Sequence, residues 1–485
     1  MVIILGTYIS KVLAYIVSGV LYNLFLHPLR SIPGPIFLRV SNLPRAYHSV
    51  RGELPFYVAN LHAKYGKVVR LGPNNLSFIS PEAWKDIYGH KGQGPEFPKY
   101  QPGYRPVDNM AVSILSAGRD EHSQIRRQLA HGFSERAMQA QESIIGAYVD
   151  KLIDRLRTNV ATGKNPLNIR EWFNWTTFDL IGDLGFGSSF GCLENSHYHP
   201  WVKIFTGFIT QMNLMVSLRM IGARRLVNFL AKHGGMSSRD QHAAFAREKL
   251  TQRMELGTER LDLIEGLLKK KDELTFAQIA TNAGTLIVAG SETTATLLCG
   301  AVFLLTTNPH CLEKLAQEVR SSFADDSEIT LLSVNKLQYM LACLKESLRR
   351  YPPVVGVMPR QVPRGGAMVA GHFVPEDTVV GVWQWPIYHA PDLWTDPMGF
   401  HPERFMDDPK FAGDRLDALQ PFGTGPRNCI GKNLAYAEMR LIMAKIIFNF
   451  DMRLADESRD WYKNSKAYGT WQKPPLMVHL TPVKP

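Results

Sequence analysis

Two short stretches carry side chains whose types and spacing could do chemistry. One is Phe422–Gly431, which reads FGTGPRNCIG. Its Cys429 follows Gly423 and Gly425, precedes Gly431 and lies two residues after Arg427. Glycine admits backbone conformations that a Cβ resists, so the three suit a tight loop lying close to a flat ligand. After Lys432 comes NLAYAEMRLIMAKIIFNF, rich in helix formers and carrying an apolar stripe. Cys429 is therefore expected at or just before a helix N-terminus, where the macrodipole and free N–H groups favour thiolate over thiol. A stabilised thiolate on a glycine loop is what an axial haem ligand needs. The other stretch is AGSETT, Ala289–Thr294, at the centre of a long, mostly apolar helical pattern, Leu274–Thr307. Gly290 there costs a helix about 1 kcal/mol relative to alanine. A Glu–Thr–Thr group in apolar surroundings costs more unless it is hydrogen-bonded. Local violations of this kind are expected at functional sites.

Phe422, Gly423, Gly425, Arg427, Cys429 and Gly431 match, without a gap, the haem-binding signature of the cytochrome P-450 monooxygenases, and the chain resembles that family over essentially its whole length. The resemblance implies one haem b, its iron held by the Cys429 thiolate and its site built by Phe422 and Arg427. It implies that Glu292 and Thr293 are the acid–alcohol pair that relays protons during oxygen activation. On the polar helical stretch Asp120–Ala137, His122 and Arg126 are four apart and share a face. The family usually has Trp and Arg at these positions, both reaching a haem propionate. Here His122 replaces the Trp, and an imidazole can still donate a hydrogen bond to a carboxylate. Arg360, at the end of the Pro-flanked segment Val354–Arg360, resembles a further propionate contact. Glu346 and Arg349, with Arg404 of Pro402–Phe405, resemble the family's buried ion network, in which a guanidinium bridges a carboxylate bidentately. The loop Gly89–Pro106 corresponds to the region covering the substrate pocket, and AYGTW (Ala467–Trp471) to a loop entering it. HSQIRRQLAHGFS resembles fungal members of secondary metabolism.

The elements that must position these residues follow from pattern. Leu54 onward reads as a helix and then the strands VVRLG and LSFIS; Pro81–Tyr88 reads as a short helix. Glu142–Arg157, Ile169–Leu184 and Pro200–Leu214 read as helices, Arg239–Lys271 as a charged helical pair, and HFVPEDTVVGVWQWPIY as strands with turns. The expected fold class is mainly α with a smaller β region (α+β), the cytochrome P-450 fold around one haem b with an N-terminal transmembrane helix. Val2–Leu26 is apolar apart from Lys11 and a few small polar residues, and long enough to span a bilayer. Arg30, Arg39 and Arg45 follow it, which puts the body on the cytosolic side. SIPGP (Ser31–Pro35) reads as a stiff hinge. The expected division is a transmembrane anchor at 1–26, a Pro-rich hinge at 27–45 and a haem-thiolate catalytic domain at 46–485.

At 485 residues the chain is long enough for a large single-cored enzyme enclosing a cofactor. Its 45% apolar and 20% charged content exclude wholesale disorder. A formal charge of +11 points to an anionic membrane or an acidic protein partner. No Lys/Arg run interleaved with aromatics supports nucleic acid. Cys192, Cys299, Cys311, Cys343 and Cys429 are scattered and never C-x-x-C, against a disulfide framework or zinc site and in favour of a reducing compartment. The chain contains no G-x-G-x-x-G or phosphate loop. Electrons must then come from a separate NADPH-cytochrome P-450 reductase, with cytochrome b5 as a second donor. The expected activity is insertion of one oxygen atom from O2 into a hydrophobic small molecule (a terpenoid, polyketide or alkaloid) at the endoplasmic reticulum membrane. Two alternatives stay open: a haem-thiolate isomerase that needs no reductase, and a haem-binding protein without turnover.

Overall fold

The long apolar pattern folds as a 32-residue helix, Phe276–Thr307, in a computed structural model that describes residues 2–92, 94–108, 110–234, 237–256, 262–270 and 273–483. Thr275 starts it with a reciprocal cap: its hydroxyl accepts from Gln278 N–H, and the Gln278 side chain accepts from Thr275 N–H at 2.9 Å. Gly290 is explained by packing. A Cβ there would stand 2.7 Å from Ile181 on the helix Ile169–Phe186, so the glycine lets the two helices touch. One apolar core joins these two helices to Glu135–Ala161, Gln338–Arg350 and Lys432–Asn449.

The β region is small. Val68–Gly72, Asn75–Phe78, Val379–Val382 and Arg360–Gln361 form one sheet in that order, with the second and third strands parallel and the outer pairs antiparallel. Leu167–Asn168, Met477–Pro482 and Phe450–Leu454 form another, and Lys466–Ala467 pairs with Trp471–Gln472 as a hairpin. The chain is thus mainly helical with small sheets, as its pattern predicts.

Three boundaries differ from expectation. Asp120–Ala137 is two helices, Arg119–Ala130 and the start of Glu135–Ala161, because Ser134 caps a new start by accepting from Ala137 N–H at 3.2 Å. The strand in VVGVWQWPIY stops at Val382. Gln384–Tyr388 is a helical turn, since Pro386 lacks the N–H a strand would use. The helix from Pro200 runs on to Met220. Of the charged pair, Ser237–Glu255 is helical and Glu265–Leu268 forms a single turn; residues 257–261 between them lie outside the described residues.

Val2–Leu21 is a helix, extended by a wider turn over Tyr22–Leu26. Thr7–Leu26 is long and apolar enough to cross a membrane, and its most apolar window has no buried residue. An apolar surface of that kind is stable in lipid, which makes the helix a candidate membrane anchor. SIPGP does not stand free as a hinge. The Pro33 carbonyl accepts from Arg70 N–H at 2.8 Å, and the fully buried Arg70 guanidinium reaches the Asn23 carbonyl at 3.0 Å. The segment after this helix is therefore docked on the edge of the first sheet.

Candidate active site

The cysteine loop is shaped by two of its three glycines. Gly423 and Gly425 have φ of +67° and +75°, and a Cβ at Gly425 would fall on the Tyr88 carbonyl oxygen. Gly431 departs from the expectation. Its φ is an ordinary −88°, and it serves as the N-cap of Lys432–Asn449. Cys429 N–H donates to the Phe422 carbonyl at 2.8 Å, and the Phe422 ring lies 5.2 Å from that of Tyr436 on the following helix. The four other cysteines are buried, whereas solvent reaches Cys429. Burial nevertheless pushes its thiol up, against the Gly431 N–H, Arg126 and Lys432, which pull it down. The expected preference for thiolate is thus corrected for the bare polypeptide, because desolvation outweighs the helix N-terminus; a bound metal ion would deprotonate the sulfur outright.

Basic side chains gather beside this loop. Arg126 donates to the Asn428 carbonyl and to Asn428 Oδ1, both at 2.7 Å, and so fixes the residue preceding Cys429. His122, one turn earlier, is buried. Arg427 pairs with Glu96 and donates to the Ala117 carbonyl at 2.9 Å. Arg360 donates to the Tyr104 hydroxyl at 2.7 Å and lies over the Tyr88 ring. Lys99 joins them, buried, with its ammonium on the Ile114 and Leu115 carbonyls. Burial and then Arg427 and Arg360 push Lys99 down to about 6. Burial, followed by Arg427, Lys99, Arg126 and Arg360, pushes His122 down to about 3. Glu96 is the one acid paired with this group among the described residues. Five basic groups with so little negative charge fit a ligand that brings two carboxylates. Nothing in spacing or pattern marked Lys99, which sits in the irregular loop.

Beyond this group opens a cavity of about 1080 Å³. Thr285, Val288, Ala289, Glu292 and Thr293 of the long helix line one wall, and Val354, the 356–359 segment and the 467–470 loop another. Cys429 and the five basic residues are not part of that lining, but three of the basic residues hold its edge. Arg427 holds Ala117 beside Ser116, Arg360 holds Tyr104 and Lys99 holds Leu115. Thr293 donates its hydroxyl to the Ala289 carbonyl at 2.6 Å. Glu292 is ion-paired to the buried Lys473, whose ammonium also reaches Thr296 Oγ1 at 2.6 Å; Thr296 in turn donates to Glu292 Oε1 at 3.2 Å. The pairing of Lys473 with Glu292 was not read from sequence. A lysine just past AYGTW was the only available signal. Glu438, on Lys432–Asn449, shares a hydrogen bond with Thr294, and burial raises its carboxyl to about 8, which keeps it neutral at pH 7.

Outside the cavity, Glu346, Arg349 and Arg404 form the expected buried network. Arg349 holds Glu346 through two bonds of 2.8 and 2.7 Å and also caps three backbone carbonyls. Arg404 completes it toward Glu346 and Asp414. Arg45, which follows the apolar N-terminal helix in sequence, lines the cavity.

The family model described as Cytochrome P450 matches residues 31–480. The chain belongs to the cytochrome P450 family. This P450 is 48% identical to cytochrome P450 monooxygenase tpeC of Talaromyces stipitatus, over 98% of this chain and 94% of that protein. It is 44% identical to a trichothecene C-15 hydroxylase of Fusarium sporotrichioides, over 97% and 96% respectively. It is 41% identical to an averantin hydroxylase of Dothistroma septosporum, over 99% and 92%. The chain is accordingly a P450 monooxygenase, and the family implies a haem-thiolate centre. The open cysteine and the surplus of basic groups fit that centre.

Proposed function

We propose that this P450 inserts one oxygen atom from O2 into a hydrophobic small molecule of fungal secondary metabolism, such as a terpenoid, polyketide or alkaloid. The observation that carries the reading is Cys429, alone open among the cysteines, beside a basic group short of anions. Cys429 would hold the iron of a haem b, and Arg126, Arg360, His122 and Lys99 would receive its propionates, with Arg427 and Phe422 fixing the loop. When bound, the haem supplies dioxygen activation and oxygen transfer to carbon. Thr293, its hydroxyl proton engaged by Ala289, presents its oxygen to the cavity and accepts a hydrogen bond from water there. Glu292 moves protons between that wall and the Lys473–Thr296 side. The apolar cavity orients substrate and limits water.

Electrons come from NADPH-cytochrome P-450 reductase, with cytochrome b5 as a second donor, and the net charge of +11 favours acidic partners. The apolar N-terminal helix supports a single-pass anchor over 1–26 in the endoplasmic reticulum, a proline-rich segment over 27–45 and a cytosolic catalytic domain over 46–485. Metabolite profiling of a host with and without this gene tests the reading. A product heavier by one oxygen atom, formed with NADPH consumption, is expected; an isomer formed without a reductase would replace it.

A further inference from the structure

Four arginines line the cavity: Arg45, Arg105, Arg239 and Arg247. Arg239 is paired with Asp240 at 2.6 Å, Arg105 donates to the Met110 carbonyl, and Arg247 is exposed. Arg45, on the helix Leu43–Val50, has no hydrogen bond or ion pair among the described residues, and its Nε is buried without a partner. Two polar side chains close to it in sequence are already engaged. Asn42 donates to the Met220 carbonyl at 3.0 Å, and Ser49 to Asn213 at 3.1 Å. The cavity's acids are engaged as well: Asp240 with Arg239, Glu292 with Lys473, and Asp377 with the Gln361 amide. Burial lowers Arg45 to about 10, with Tyr100 pulling the other way, so it keeps its charge at neutral pH.

Arg45 is half-buried, a guanidinium nitrogen enclosed without a partner is costly, and a planar fork of donors matches a carboxylate. The helix bearing Arg45 belongs to the N-terminal part of the chain, while Ala289 and Thr293 line the wall given by the long helix. The same cavity is lined by the apolar side chains of Leu54, Phe208, Met212, Val216 and Val357. We propose that Arg45 binds the ionised carboxylate of the substrate, so that the substrate is an organic acid whose apolar body extends toward Thr293. This rests on the monooxygenase reading above.

The full-length haem-loaded protein tests it with two probe pairs: dodecanoate and 4-hexylbenzoate, each against its methyl ester. Binding is read by equilibrium dialysis and by the Soret shift, in wild type, Arg45→Lys and Arg45→Met. Wild type is expected to bind at least one acid about tenfold or more tighter than its ester. Arg45→Met should erase that preference without weakening the ester, and Arg45→Lys should keep part of it. Equal binding of acids and esters by wild type would overturn the proposal, and needs no variant to fold. So would an undiminished preference in Arg45→Met. Phosphatidylserine vesicles form a third arm: loss of vesicle binding in Arg45→Met with acid binding intact would place the guanidinium against lipid and also overturn it. The carbon monoxide difference band of the same wild-type sample separates the two readings. A thiolate-type band without acid preference removes Arg45 alone, whereas absence of the band removes the haem-thiolate account.

Discussion

Glu292 and Thr293 are adjacent in sequence but have different partners. Among the described residues the Thr293 side chain bonds only to its own helix, whereas Glu292 is tied to Lys473, 181 residues away. Thr293→Ala should therefore leave the fold intact and uncouple NADPH consumption from product; coupling at the wild-type ratio would remove Thr293 from the mechanism. Lys473→Met strands a buried carboxylate and should cost about 3–5 kcal/mol of stability. Lys473→Arg should recover most of it, as read by thermal unfolding. His62 sets a pH response of its own. It donates to the Gly66 carbonyl at 2.8 Å and accepts from Ser77 at 2.6 Å, and burial lowers it from 6.5 to about 4 despite the Gly66 bond. The unfolded chain then takes up the proton first as pH falls, so stability is full above 6.5 and drains toward pH 4, by about 3 kcal/mol. His62→Gln should flatten that slope in denaturant titrations between those values; an unchanged slope would show that other groups carry it. Cys429, Glu292 and Thr293 were legible because their types break local rules. Lys99, Lys473 and Glu438 were not, because only distant partners give them meaning.

At the scale of elements, the glycines and the ion network are the most constrained parts. Gly425→Ala forces a Cβ onto the Tyr88 carbonyl in a left-handed backbone, so the variant should lose most bound haem while keeping its far-ultraviolet dichroism. Full haem content in Gly425→Ala would show that the loop tolerates another path. Glu346 is surrounded by Arg349, Arg404 and the His401 N–H, all at least partly buried. Helix existence was legible from apolar spacing, and the start of the long helix from its Thr–Gln cap. The break at Ser134 was not, since residues on either side continue the helical pattern and only the capping bond reveals the restart. The turn Gln384–Tyr388 was hidden for the opposite reason. Its aromatic residues look like a strand, and Trp385 stacks on His389 at 4.1 Å only once wound.

At the scale of the whole molecule, sheet pairing escaped the sequence. Asn75–Phe78 lies parallel to Val379–Val382, some three hundred residues on, and no local signal encodes that register. The apolar N-terminal helix was legible, because a long apolar run needs no partner to declare itself. Deletion of residues 2–26 should release the protein from microsomal membranes; undiminished retention would reveal another attachment. The whole account turns on sulfur ligation of iron. The reduced carbon monoxide difference spectrum of purified wild type, Cys429→Ala and Cys429→His measures it directly. The account predicts a thiolate-type band in wild type that is lost in Cys429→Ala and displaced in Cys429→His. A wild type without that band, or a band unchanged in either variant, would contradict it.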